Sequence, residues 1–156
     1  MNNKIYKVIK VIKIWWNGPF NVEDPYEDKF DLYQIYGTHA IYGRCVLLYI
    51  GRTDNGYIRI KNHFHDWMKF EFDSMQYFAG KIIDCDEQYL QQYCIDAERL
   101  LVYYCAPAYN SNLISDLKVV DQNLLVLNFG KAGQLPCEAS TIWYSEYDKY
   151  LKNSSE

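Results

Sequence analysis

Several polar side chains fall at intervals that could assemble a reaction site. Tyr49 opens the tripeptide Tyr49-Ile50-Gly51, and Arg52 follows it directly. Arg59 stands ten residues after Tyr49 and His63 four residues after Arg59, so on a helix those two share a face. Glu98 comes later, and Asn110 follows Pro107. An imidazole moves protons near neutral pH without help, whereas a phenol needs a cation beside it. A guanidinium grips a phosphate with a planar fork of donors. A carboxylate seats a divalent cation. Each residue also has a plainer reading. Arg59 and His63 could be solvated helix residues, Glu98 a surface partner of Arg99, Asn110 a turn former and Tyr49 core filling. Only the joint order carries weight.

The elements that must position these groups can be read from periodicity and punctuation. Residues 4–16, dense in β-branched and aromatic side chains, predict a strand that Asn17-Gly18-Pro19 breaks. The acidic stretch 22–29 predicts a loop. Leu32–Tyr36 and Val46–Ile50 predict an antiparallel hairpin with a long tip containing Gly37 and Gly43. Thr53-Asp54-Asn55-Gly56 offers N-caps for a helix over about 57–70, striped by Ile60, Phe64 and Trp67. Gln76–Ile83 predicts a strand. Asp84 or Asp86 caps a longer helix to about Tyr104, striped by Leu90, Cys94, Ala97, Leu101 and Tyr104 and closed by Pro107. Leu124–Asn128 and Thr141–Tyr144 predict further strands. This order is β-β-α-β-α with β-leaning extensions, an α+β pattern.

Bulk properties bound the function. With 156 residues the chain has room for one domain, expected over 1–156 with an N-terminal extension 1–30, a core 31–115 and a C-terminal extension 116–156. Hydrophobic residues at 49% and charged residues at 23% exclude a disordered or collagen-like chain. No run suits a membrane span, and Lys7, Lys10 and Lys13 interrupt the apolar N-terminal stretch, so neither membrane nor signal peptide is expected. Five cysteines without a CxxC pair argue against a disulfide framework or a zinc site and for the cytoplasm. A net charge of −4 excludes general coating of nucleic acid, so any polyanion must be gripped locally. The lysines at 4, 7, 10 and 13 alternate between strand faces and form no continuous phosphate track. Sixteen tyrosines fit a wet groove or a β-rich surface. Trp15-Trp16 could stack on bases or simply pack.

With Tyr-Ile-Gly at 49–51, Arg59, His63, Glu98 on a later helix and Pro107-Ala108-Tyr109-Asn110, the chain resembles the GIY-YIG nuclease family over about residues 31–112. The resemblance implies a β-β-α-β-α core with a small antiparallel three-stranded sheet flanked by helices. The family's first motif has no literal copy. Asp31-Leu32-Tyr33 is its counterpart, with Asp31 replacing the glycine; Ala40-Ile41-Tyr42 is a rival that leaves too few residues before Tyr49. Arg52 stands where several members carry a lysine.

The resemblance implies a metal-dependent endonuclease hydrolysing DNA by a single-metal mechanism. Glu98 would hold Mg²⁺, with Mn²⁺ able to substitute, and Arg59 would hold the scissile phosphate. Tyr33 or Tyr49 would be the general base, with His63 sharing the proton relay. Gly51, Arg52 and Asn110 would support the site. RNA stays open as substrate, and the chain is expected to be a monomer or homodimer. Two other classes remain: a catalytically silent nucleic-acid-binding or protein-interaction module on the same scaffold, and an acidic partner protein using a Tyr-rich face. His39, in the hairpin tip, and His65 have no assigned role; His63 and His65, two apart on a helix, do not face each other and so do not share a metal.

Overall fold

A computed structural model describes residues 9–68, 75–110 and 123–141. Eight elements follow in chain order: β1 (Lys10–Asn21), β2 (Leu32–His39), β3 (Gly43–Arg52), α1 (Tyr57–Asp66), β4 (Gln76–Ile83), α2 (Glu87–Cys105), β5 (Leu124–Gly130) and β6 (Glu138–Ser140). The strands form one curled sheet in the order β3-β2-β4-β1-β5-β6, every neighbouring pair antiparallel except β1 with β5.

This overturns the expected small antiparallel three-stranded sheet flanked by helices. The sheet has six strands and is mixed, because the N- and C-terminal strands are not appendages. β4 would otherwise present a bare edge of N–H and C=O groups. Instead β1 pairs along it, and β1 in turn pairs with β5 in a parallel ladder from Lys10↔Leu124 to Trp16↔Gly130. Trp16 explains the central place of β1. Its ring is fully buried, crosses Gly80 of β4, and gives its indole N–H to Asn128 Oδ1 of β5 at 2.9 Å. It is therefore packed, while Trp15 on the opposite face is 48% exposed.

Several boundaries also differ. β1 runs on through Asn17-Gly18-Pro19, the register shifting between Asn17 and Phe20. α1 ends at Asp66, where the Trp67 N–H caps the His63 carbonyl, and its N-cap is Gly56 with no side-chain cap bond. Thr53 instead accepts the Asn55 N–H at 3.0 Å. β4 coincides with the expected 76–83. Residues 4–8, 69–70 and 142–144 of the expected elements lie outside the described residues.

Two apolar cores divide the sheet. On one face α2 buries Cys94, Ala97, Leu100, Leu101 and Val102 against Ile12, Ile14, Trp16, Leu32, Leu124 and Val126. On the other, Ile60 of α1 joins Phe30, Tyr33, Ile35, Tyr77 and Ala79. Strand alternation makes this possible: Leu32 faces α2 and its neighbour Tyr33 faces α1. Lys10 forms an ion pair with Asp96 at 2.6 Å and Lys13 one with Asp84 at 2.9 Å.

Candidate active site

The β2–β3 register sets Tyr33 opposite Gly51 and Ile35 opposite Tyr49. A Cβ at Gly51 would overlap the Tyr33 phenol and come within 2.7 Å of the Tyr49 ring. Glycine is therefore what lets Tyr33 cross β3 and stack on Tyr49, with ring centroids 5.9 Å apart. Tyr42, the rival for the first motif, lies 67% exposed at the hairpin tip.

Tyr33, Tyr49, Arg52, Arg59 and Glu98 line one pocket of about 310 Å³ together with Thr53, Asp54 and Asn55. Four elements supply these groups. β2 and β3 bring the phenols, α1 brings Arg59, and α2 brings Glu98 toward the end of β3. Arg52 makes that last junction, its Nε donating to Glu98 Oε2 at 3.0 Å. The Glu98 carboxylate is mostly buried, and burial pushes its pKa up against the opposing pull of Arg52.

His63 is buried beside Tyr33, its Nε2 2.7 Å from the phenol oxygen, while Nδ1 lies 3.0 Å from the Trp67 indole nitrogen. An indole N–H only donates, so Nδ1 accepts and carries no proton. Burial, reinforced by Arg59, lowers the His63 pKa to about 4, so the ring is neutral at pH 7 and its one proton sits on Nε2. His63 thus donates to Tyr33. This differs from the expected proton relay: neither ring nitrogen is open to take a proton from the phenol. The sequence presents Trp67 as a member of an apolar stripe, and nothing in its spacing signals the donor role.

Burial also raises the Tyr33 pKa well above the ordinary phenol value, Tyr49 adding to the rise and Arg59 opposing it. Tyr49 shifts the same way, through burial and then the Glu98 charge, with Arg59 again opposing. Both phenols are therefore protonated at neutral pH, and Arg59 is the cation that favours their ionised forms.

Asn110 holds the site from outside. Its Oδ1 accepts the Ile50 N–H at 2.8 Å and its Nδ2 donates to the Ile50 carbonyl at 2.7 Å. Tyr109 adds its N–H to the Leu48 carbonyl at 2.9 Å. The loop after α2 thereby occupies the outer edge of β3 on both sides of Tyr49. Asp31, in the place of the motif glycine, is buried and its Oδ2 accepts the Ile82 N–H at 2.9 Å, extending the β2–β4 ladder by a side chain.

Among the described residues no cluster of three or more His, Cys, Asp or Glu gathers. The donor chemistry at Glu98 still suits a hard cation. Mg²⁺ is commonly held by one or two carboxylates with several waters retained, and a pocket of about 310 Å³ holds several waters at roughly 30 Å³ each. Arg52 engages one oxygen, Oε2, through its Nε. Compared with known proteins, the chain matches no family model, no curated protein and no solved structure. Among the described residues no helix is long and apolar enough to cross a membrane.

Proposed function

We propose that this chain is a Mg²⁺-dependent endonuclease that hydrolyses phosphodiester bonds in DNA and works in the cytoplasm. The observation that supports this most is the convergence of Tyr33, Tyr49, Arg59 and Glu98, drawn from four elements, on one pocket. The motif residues shared with GIY-YIG nucleases support it second. Five cysteines with free thiols are compatible with a reducing compartment.

In this reading Arg59 grips the scissile phosphate and its charge meets the negative charge that develops on the phosphoryl oxygens. Tyr33 or Tyr49 gives its proton to solvent, helped by the Arg59 charge. The phenolate then takes a proton from the attacking water as that water's oxygen bonds to phosphorus and the bond to the 3′ oxygen breaks, solvent protonating the departing oxygen. His63 steadies the Tyr33 oxygen by donation from Nε2, an interaction that strengthens if that oxygen ionises. Glu98 would hold the metal, with Arg52 paired to its Oε2. Mg²⁺ held there would supply a Lewis acid for the phosphate and stabilise the departing 3′ oxygen.

The decisive experiment incubates supercoiled plasmid with the protein and Mg²⁺, with and without EDTA. Nicking is expected with Mg²⁺ or Mn²⁺ alone, absent with chelator and with Glu98→Ala, and reduced about 10²–10³-fold in Arg59→Ala. Wild-type protein that never nicks, or Glu98→Ala that nicks as well as wild type, overturns the reading. The Arg52–Glu98 ion pair favours a second reading, a nucleic-acid-binding module without catalysis, in which that pair is permanent. Retention of plasmid without nicking is its signature.

A further inference from the structure

A line of neighbouring rings continues from the pocket to the far end of the β2–β3 hairpin. Tyr49 meets Trp67 at 6.4 Å between centroids, and Trp67 meets Tyr109 edge-on at 5.0 Å. Tyr109 meets His39 at 5.6 Å, and His39 stacks on Tyr42 at 4.7 Å. The ridge becomes barer as it leaves the pocket. Tyr109 is 37% exposed, Tyr42 67%, and its neighbour Ile41 81%.

The bare end is built rather than loose. His39 Nδ1 accepts the backbone N–H groups of both Ile41 and Tyr42, at 3.2 and 3.3 Å. Gly43 takes a positive φ of 89° and so turns the chain back into β3. An apolar tip fixed in this way loses little conformational entropy when something settles on it. Charge points to the kind of partner. Residues 32–52 contain Arg44 and Arg52 and no acidic residue, in a chain of net charge −4. With Arg52 paired to Glu98, Arg44 is the cation that the hairpin adds beside the ring ridge, and the pocket at the other end of the ridge holds Arg59.

We propose that the ridge from Trp67 to Tyr42, with Ile41 as a wedge, stacks unpaired bases of the nucleic-acid strand whose phosphate enters the pocket. This inference rests on the phosphodiester reading and names the substrate class for it: DNA with unpaired or easily unstacked bases beside the cleavage point. Stacked rings next to cations are the usual platform for bases without regard to sequence. An aliphatic tip such as Ile41 is what separates base steps in proteins that kink a duplex. The six residue steps from Tyr33 to His39 span about 20 Å at strand rise, or roughly six nucleotide steps.

The test measures binding by fluorescence anisotropy in EDTA, so that cleavage plays no part. Three labelled oligonucleotides are compared: a paired duplex, the same duplex with a central unpaired loop, and a single strand. The wild-type chain is expected to bind the looped duplex and the single strand at least about tenfold more tightly than the paired duplex. Ile41→Ser with Tyr42→Ala is expected to lower those two affinities by about 5- to 100-fold and that for paired duplex by less than twofold. Tyr42→Phe is expected to bind like wild type. Because the double variant removes no cation, its salt dependence keeps the wild-type slope, whereas Arg44→Gln shallows it by about 0.7–0.9.

Equal affinity of wild type and double variant for unpaired DNA overturns the inference. So does a double variant that changes only self-association in sedimentation, which would make the tip an interface between copies. A chain that binds through the tip yet never nicks plasmid overturns the hydrolase reading alone. One that nicks plasmid but binds equally with or without the tip residues overturns the ridge alone.

Discussion

On the face covered by α2, the strands present Ile12, Ile14, Leu32, Leu124 and Val126 to Ala97, Leu100 and Leu101. On the face covered by α1, they present Tyr33, Ile35, Tyr77 and Ala79, with His63 and Trp67 close by. The first interior is dominated by aliphatic side chains, whose fit is measured in volume. The second is built from rings with polar ends, and each end needs a partner. Tyr77 gives its hydroxyl proton to the Asp24 carbonyl at 2.8 Å and accepts the Tyr26 N–H at 2.9 Å. Tyr33 accepts from His63. One strand serves both faces, so a reaction site can be assembled on one side of β2 while the other side holds the fold together.

Substitutions should separate the two roles. Tyr33→Phe removes one oxygen from the ring-lined face and should lower plasmid nicking by about 10²–10⁴-fold, at a stability cost of about 1–3 kcal/mol because the His63 Nε2–H loses its acceptor. Leu101→Ala should act on stability alone. Emptying a fully buried aliphatic position is expected to cost about 2–5 kcal/mol of unfolding free energy, with nicking per folded molecule little changed.

Acid should act through the ring-lined face. His63 has a folded pKa of about 4 against about 6.5 in the unfolded chain, so between those values the unfolded chain alone holds the proton. Its contribution is fully present above about pH 6.5 and is lost as the pH falls toward 4, a change on the order of 3 kcal/mol. Chemical denaturation at a series of pH values should reveal that slope, and His63→Gln should flatten it. Gly51→Ala drives a methyl into the Tyr33 phenol. About 1–3 kcal/mol of destabilisation is expected, and the nuclear Overhauser effect between the Tyr33 and His63 rings should disappear. The smallest effect belongs to Trp67→Phe. Loss of one hydrogen bond is worth about 1 kcal/mol, but ¹⁵N spectra should show the Nδ1–H tautomer of His63 appearing where wild type has only Nε2–H.

What can be read in the sequence depends on the range over which each signal acts. The strand at 76–83 and the helix ending before Pro107 are legible because alternation, stripe and terminator are local. Spacing favours Tyr33 over Tyr42, and it is Tyr33 that reaches the pocket. The six-stranded sheet is not legible. The pairing of β1 with β5 joins residues more than a hundred positions apart, and neither strand carries a mark of its partner. Arg52 reads as a cation in the place of the family's lysine, and its pairing through Nε with Glu98, set by the approach of α2 to β3, carries no local signal. Asp31 reads as a replacement for the motif glycine, and its carboxylate accepts the Ile82 N–H.

The central place of β1 has a consequence for synthesis on the ribosome. This strand leaves the exit tunnel before both of its neighbours, β4 and then β5. At about 5–20 residues per second, the Ile-Trp-Trp segment waits on the order of 5–20 seconds before its second edge can be covered. Lys10 and Lys13, just ahead of that segment, are charges of the kind that keep a waiting nascent strand from joining its copies on neighbouring polysomes.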